Sequence, residues 1–427
     1  MRRGGTETRV RRTQFGFRSG VGTADALFVA KRLLDEAWSH ADGQLLLLLL
    51  DWAKAFYRID PASMRAALRR FGIPLDMIHM VESIYTGRCF TVKDGGMESS
   101  THTQGAGISQ GCPLSPFLFI IVMTVLLHDV DTRVARRFGW SLDESQRLIR
   151  DIVYADDTML IEKSSAEVLQ YVTDSLVEAG RVYGLELHWG KTFLLSVRHD
   201  GVVRGADGMA IQNKNAAVYL GGLLCTDGTP RAEVSRRSGA AWGAFLKLER
   251  VWRHANISRT RKVAIYEGCI LPKIMYGLES LWLRKAERSK IDALHARCLR
   301  RALGIKCRYI SRISNEDVLS QACSLPLSSM LLQRQLLLFG RIARMPDTCP
   351  QREVLFEPSS VTIRASEARR ARGRPRQQWA QCVSKHAMQA AGSGTSLAAL
   401  LLHNPVEHDT WPDVVRRYCL LACTGAQ

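Results

Sequence analysis

Ile152-Val153-Tyr154-Ala155-Asp156-Asp157-Thr158-Met159-Leu160-Ile161 sets two adjacent carboxylates between apolar runs. The flanks Ile152–Tyr154 and Thr158–Ile161 have strand composition, so the pattern predicts a hairpin with acids at its tip. Two unpaired carboxylates in such surroundings repel each other and resist ionisation unless a cation holds them. Side chains alternate along a strand, so the two acids need not act equally. An Asp-Asp turn is by itself more often solvated than catalytic, and its meaning depends on what else joins it.

A third acid stands at Asp51, directly after Gln44-Leu45-Leu46-Leu47-Leu48-Leu49-Leu50. Six leucines have no amphipathic period, but the run is short and follows Asp42-Gly43, which predicts a buried central strand. By itself Asp51 reads as a strand cap. Beside the hairpin it reads as a rigidly held metal ligand, and Mg²⁺, a hard ion that selects oxygen and keeps phosphate oxygens in its shell, suits the set. A third element, Gly107-Ile108-Ser109-Gln110-Gly111-Cys112-Pro113-Leu114-Ser115-Pro116-Phe117-Leu118-Phe119, makes a low-bulk loop before an apolar stretch. Such a loop is either a plain helix entry or a place where a large ligand approaches backbone.

Around these motifs the first half alternates helix and strand signals. Helices are expected over Pro61–Phe71 and Pro74–Tyr85, a buried one over Phe117–Val130, and one opened by a capping box of Ser164 and Glu167 and closed by Gly184. Cys89–Val92 and Ser99–Thr103 read as a strand pair around Gly95-Gly96. From about residue 231 the pattern is helical, over Ala232–Trp252, Arg259–Leu281, Lys285–Leu303 and Leu331–Met345, with one or two weak helices after Gln378.

The chain has 427 residues and a formal net charge of +18, and the charge is unevenly placed. Residues 1–230 hold 26 basic and 26 acidic side chains; residues 231–427 hold 33 and 15. A neutral half followed by a basic one suggests chemistry first and polyanion binding second. The length and average composition exclude fibrous and wholly disordered classes. No apolar stretch approaches the roughly 18–20 residues that span a bilayer, and the Arg-rich start lacks a secretory core, so an intracellular protein of nucleus or cytoplasm is expected. Eleven scattered cysteines fit a reducing compartment.

Taken in order, these motifs resemble the reverse transcriptases of non-LTR, LINE-type retrotransposons. Gln14-Phe15-Gly16-Phe17-Arg18 resembles the segment before the palm, Leu50-Asp51 with Lys54-Ala55-Phe56 the first catalytic motif, Gly107–Phe119 the second, and Tyr154-Ala155-Asp156-Asp157 the Y-x-D-D box. Gly184-Leu185 with Lys191-Thr192 resembles the motif that follows, and Tyr219-Leu220-Gly221 the primer-grip hairpin. Tyr266, Tyr276-Gly277, Trp282, Phe339-Gly340 and Gly373-Arg374-Pro375 resemble the thumb and C-terminal region.

The resemblance implies an α+β right-hand polymerase: partial fingers and palm over 1–230, a helical thumb over 231–345, a basic linker over 346–376 and a tail over 377–427. It implies an RNA-directed DNA polymerase working on an RNA template, a DNA primer and deoxynucleoside triphosphates, with no membrane and no obligate protein partner. Asp51, Asp156 and Asp157 would hold two Mg²⁺ ions, Mn²⁺ being an admissible substitute, with Lys191 as proton donor to pyrophosphate. Phe56 would exclude a ribose 2′-hydroxyl, while Gln110, Gly111 and Tyr154 would lie against the incoming nucleotide. Tyr219, Leu220 and Gly221 would grip the primer. The basic run Arg364–Arg376 reads as a phosphate-binding linker in which Arg372, Arg374 and Arg376 also resemble an AT-hook core.

Three positions depart from the family pattern. Tyr57 replaces the usual Asp after Phe56, Ser109 the usual Arg before Gln-Gly, and His188 the usual Asn. The match begins just upstream of Gln14, so the N-terminal part of the fingers is expected to be missing. The alternative reading is therefore a catalytically inactive remnant that binds RNA or DNA only.

Overall fold

The computed structural model describes residues 5–109, 111–143, 148–163, 165–254, 256–364, 376–402 and 410–424. The chain forms two compact units, one of residues 1–26 and 43–215, the other of residues 27–42 and 216–427. Helix α1, Thr23–Ser39, therefore contributes most of its length to the second unit although it precedes nearly all of the first. The boundary drawn at 230 from composition falls inside the second unit, because the hairpin of residues 216–225 packs there before the charge changes.

In the first unit the leucine run forms β1, Leu45–Leu50, with all six residues buried. It is central: β2 (Asp151–Tyr154), β3 (Asp157–Glu162) and β4 (Phe193–Val197) complete an antiparallel sheet in the order β2-β3-β1-β4. Burial on both faces overrides the helical preference of leucine. The register pairs Leu50 with Thr158 and Leu49 with Phe193. Helices α2 (Pro61–Phe71), α3 (Ser115–Phe138) and α4 (Ala166–Val182) supply apolar side chains to the same core as Leu46, Leu48 and Leu50, among them Leu68, Phe119, Val122, Leu126 and Leu176.

Local differences from the sequence reading have local causes. Helix α3 runs past Val130 to Phe138, because residues after 130 keep Val134 and Ala135 inward while Arg133, Arg136 and Arg137 face outward. The cap of α4 is Ser165, whose hydroxyl accepts from Val168 N, while Ser164 lies outside the described residues. The 89–103 segment forms two nested two-stranded pairs, Cys89–Phe90 with His102–Thr103 and Lys93–Asp94 with Met97–Glu98.

After α1 the second unit resumes with a hairpin, β5 (Ala216–Tyr219) and β6 (Gly222–Cys225), and continues in helices. These include α5 (Arg231–Lys247), α6 (Arg259–Cys269), α7 (Lys285–Leu303) and α8 (Leu327–Ala343). The stretch expected as one helix over 232–252 breaks at Leu248, and that over 259–281 breaks before Pro272, where the ring removes an amide donor. The tail is more ordered than its sequence suggests: α9 (Trp379–Ala391), α10 (Gly394–Leu402) and α11 (Trp411–Thr424) share a core with α8. Trp379 meets Phe28 edge-on at 4.9 Å, and Trp411 donates its indole N–H to Leu336 O at 2.9 Å.

Gly340 of α8 lies under that indole, and a Cβ there would fall 2.2 Å from Trp411 Nε1. Gly340→Ala is therefore expected to destabilise the unit by about 1–3 kcal/mol, the usual cost of overpacking. Gly268→Ala, in open space within α6, should be neutral or stabilising. Thermal unfolding followed by tryptophan fluorescence separates the two, and equal melting temperatures would contradict the packing described.

Candidate active site

Antiparallel pairing brings the end of β1 to the β2–β3 turn, because Leu50 faces Thr158. Asp51 follows Leu50 directly, so its carboxylate and those of Asp156 and Asp157 lie at one end of the sheet. Beyond β1 the chain keeps pairing with residues 186–188: Ala53 N donates to Glu186 O at 2.8 Å and His188 N to Asp51 O at 2.7 Å. That places the following turn, Trp189–Lys191, beside the acids, with Lys191 Nζ 3.3 Å from Asp51 Oδ2. Trp52 fixes the other side, its indole N–H donating to Thr158 Oγ1 at 3.1 Å. His188, one of the departures, takes part through its backbone amide, which any side chain leaves intact.

The turn has only Ala155 and Asp156 between the paired residues Tyr154 and Asp157. Ala155 adopts a positive φ of 57°, a left-handed conformation that strains a residue with a Cβ. A buried amide holds it there. Gln14 is 1% exposed, and its Oε1 accepts from Ala155 N at 2.9 Å and Gly16 N at 2.8 Å. The backbone of residues 13–15 runs beside β2, with Val153 N donating to Thr13 O and Phe15 N to Val153 O. Gly16 abuts the turn so closely that a Cβ would sit 2.5 Å from Ala155 N. Below it, buried Asp151 accepts from Arg11, which also pairs with Asp131. The Gln14–Gly16 motif was legible in the sequence; its hold on the acidic turn was not.

The electrostatics carry the mark of crowded acids. Burial first, then the charge of Asp51, raises the carboxyl of Asp156 above its ordinary range, opposed by a backbone hydrogen bond. Burial, then Asp156, then Asp51 raise Asp157 to about 6, although its side chain keeps a solvent-exposed edge. The Lys191 ammonium is the cation beside Asp51. Among the described residues no three His, Cys, Asp or Glu side chains converge closely enough to form a closed metal cage. The donor set, all hard carboxylate oxygens with no ion pair at Asp156 or Asp157 among the described residues, still matches a hard divalent cation, which would offset the burial and relieve the mutual repulsion that together raise both groups.

The Gly107–Phe119 motif lies against the segment after Asp51. Gly107 N donates to Ile59 O at 2.8 Å and Ile108 N to Phe56 O at 2.7 Å. Phe56 is half-buried and stacks on Phe119 with ring centroids 4.4 Å apart. Tyr57 is 50% exposed, so this departure replaces an acid at the surface and leaves the core beneath Asp51 unchanged. Ser109 accepts from Arg88, which also donates to Gly107 O at 2.7 Å and lies 4.2 Å from the Tyr85 ring. Arg88 thus holds the loop from outside the motif, a role no sequence signal announced. Gly111 is exposed with φ 90°, Tyr154 is half-buried, and Gln110 lies outside the described residues.

In the second unit Tyr219 is buried, and Leu220 and Gly221 form a turn with φ 46° and 72°. Tyr276 donates its hydroxyl to Leu220 O at 2.8 Å, and Arg236 and Arg237 both donate to Gly221 O. Both arginines are held by Glu233, itself buried. Arg376 donates to Asp227 O at 2.6 Å and lies 4.0 Å from the Trp38 ring, so it also anchors the end of the basic run. Arg372 and Arg374 lie outside the described residues.

A family model described as reverse transcriptase (RNA-dependent DNA polymerase) matches residues 6–222. The Retrovirus-related Pol polyprotein from type-2 retrotransposable element R2DM of Drosophila melanogaster is 27% identical over 185 residues, 43% of this chain and 17% of that protein. The RNA-directed DNA polymerase from mobile element jockey of the same species is 28% identical over 302 residues, 68% of this chain and 32% of that protein. The chain thus spans a third or less of the length of these two relatives. Among solved structures, apo telomerase from Candida tropicalis aligns with a TM-score of 0.37 and 14% identity, covering 79% of this chain and 56% of that one. No helix among the described residues is long and apolar enough to cross a membrane.

Two outcomes test this geometry. Gln14→Met removes the acceptor at constant size and is expected to lower unfolding free energy by about 1–2 kcal/mol. The loss should shrink in an Ala155→Gly background, where positive φ is free of strain; equal losses in a double-mutant cycle would show that the amide does not hold the turn. The second outcome concerns pH. A carboxyl raised to about 6 binds its proton more tightly in the folded state, so its ionisation penalises folding as pH climbs from about 4 through 6. Asp157→Asn should raise the melting temperature at pH 7.5 and leave it unchanged near pH 4; the reverse dependence would refute the crowding.

Proposed function

The chain belongs to the reverse transcriptase (RNA-dependent DNA polymerase) family, and on that premise we propose that it extends a DNA primer on an RNA template by adding deoxynucleotides to the 3′-hydroxyl. The observation that carries the reading is the β1–β3 register, Leu50 against Thr158, which sets Asp51 beside the Asp156–Asp157 turn. Its kinship with the R2 and jockey proteins supports assignment to a LINE-type element.

In this reading Asp51 and Asp156 are the ligands of two Mg²⁺ ions, with Asp157 in support. The chemistry such ions would supply when bound is Lewis-acid polarisation of the primer hydroxyl and stabilisation of the charge on the attacking and leaving oxygens. The protein's own groups do the rest. Lys191, with its ammonium 3.3 Å from Asp51 Oδ2, is suited to protonate the departing pyrophosphate. Phe56, braced by Phe119, forms the wall that rejects a ribose 2′-hydroxyl. Gln110, Gly111 and Tyr154 bound the nucleotide, and the Tyr219–Gly221 turn presents its backbone to the primer. Arg372, Arg374 and Arg376 belong to the basic run that meets phosphates. The polymerase would work in the nucleus or cytoplasm, where its RNA template resides.

A binding-only reading draws on the ion pair of Lys191 with Asp51 and on the basic second half. Primer extension on an RNA template with Mg²⁺ separates the two. The wild type should incorporate deoxynucleotides and Asp156→Ala should lose at least about a thousandfold in rate, as loss of a group that acts as part of a unit does. Equal extension by both would reject this site, whereas salt-sensitive RNA binding without incorporation by the wild type would favour the remnant.

A further inference from the structure

Helix α7 is capped by Gly304, and the chain then runs through Ile305-Lys306-Cys307-Arg308-Tyr309-Ile310-Ser311-Arg312, which includes a single helical turn at Arg308–Ser311, before the helix Asn315–Gln321. This loop is built rather than slack. Buried Arg300 donates to Ile313 O at 2.8 Å and to Asn315 Oδ1 at 3.0 Å, tying the loop's far end to α7. Within it, Cys307 O accepts from Ile310 N and Ser311 N, and Arg308 O from Arg312 N, each at 3.0 Å. The turn closes on Arg312 at φ 56°, a strained conformation for an arginine.

What this frame displays is the opposite of a core. Tyr309 is 80% exposed and Ile310 62%, and the Arg312 guanidinium lies 5.3 Å from the Tyr309 ring. From Ala296 to Ile313 there are six basic residues, Arg297, Arg300, Arg301, Lys306, Arg308 and Arg312, and no acid. Four have identifiable tasks: Arg300 and Arg312 as above, Arg301 on Glu249 at 2.9 Å, and Arg297 at 3.9 Å from the Trp242 ring. The side chains of Lys306 and Arg308 are exposed and form no hydrogen bond or ion pair with the described residues. Two apolar side chains are far too small a patch for a stable protein interface, which buries roughly 800 Å² per partner. An exposed aromatic face with two unengaged cations just before it in the chain suits a base and the phosphates next to it.

We propose that Lys306–Arg312 is a stacking site for single-stranded nucleic acid, in which the Tyr309 ring takes a base and Lys306 and Arg308 take the neighbouring phosphates. Arg312, held left-handed over the ring, pre-orients the platform, so little ordering remains for binding to do. The site lies wholly within the second unit and involves no metal.

The test is fluorescence anisotropy of the full chain with labelled single-stranded RNA, the matching single-stranded DNA and the DNA duplex, all in EDTA. Tyr309→Ala should weaken single-strand binding by about 5- to 100-fold, the range expected for one base–aromatic stack, while Tyr309→Phe stays within about twofold. The two single-stranded probes show whether the site serves template-like RNA, primer-like DNA or both. Lys306→Ala with Arg308→Ala should flatten the salt dependence by about 1.4 in log–log slope, two phosphates' worth on a single strand. Unchanged affinity of Tyr309→Ala for both single strands would overturn the proposal, as would an equal loss on the duplex, whose bases cannot stack on the ring. Because Tyr309 is exposed, its variants should melt with the wild type. Because binding is read without metal, failure of the polymerase reading would leave this outcome standing, and the reverse also holds.

Discussion

Like charges gathered at one end of an apolar sheet repel, and the first unit is organised around keeping them there. Asp51, Asp156 and Asp157 are held by backbone rather than by side-chain salt bridges: the β1–β3 register, the pairing of residues 51–53 with 186–188, and the Gln14 amide on Ala155. Those hydrogen bonds are neutral and spend no cation on the carboxylates; what reaches these directly is Lys191 at Asp51 and a backbone hydrogen bond at Asp156. The rise of Asp157 to about 6 comes first from burial and then from the charges of Asp156 and Asp51.

The second unit uses its positive charge differently from what a net +18 suggests. Several arginines are structural, clamping backbone carbonyls. Arg352 is buried, donating to Asp347 and to Ser360 O, and Arg32 donates to Ser280 O at 2.7 Å from beneath Trp379. Arg236 and Arg237 hold Gly221 O, and buried Glu233 holds them. The guanidinium, with several donors in a planar fork, can satisfy carbonyls that turns leave unpaired. A charge count therefore overstates the phosphate-binding surface, and the basic residues that matter for nucleic acid are those without such duties.

How much of this was legible in the sequence depends on the range of the interaction. The leucine run, the acidic hairpin and the helix before Gly139 are local patterns, and periodicity with turn residues predicts them. The meeting of Asp51 with the hairpin followed only from motif order, because register is a long-range property that composition does not encode. Gln14, Arg88 and Tyr276 were out of reach as positioning groups: each acts on a backbone atom distant in the chain, and a backbone atom leaves no letter to read. The tail was underestimated for a related reason, since Trp379 and Trp411 become core residues only against α8.

Residues 27–42 belong to the second unit although the first unit's remaining residues, 43–215, are made between them and their partners. Phe28 waits for Trp379, and Lys31 and Arg32 wait for Ser280. On a ribosome adding about 5–20 residues per second, that delay is on the order of tens of seconds, during which an apolar helical face is solvent-accessible. Completion of the second unit is thus coupled to synthesis of the chain at least as far as Trp379. No single proteolytic cut yields two intact halves, and a nascent chain of this kind is a natural client for holdase chaperones.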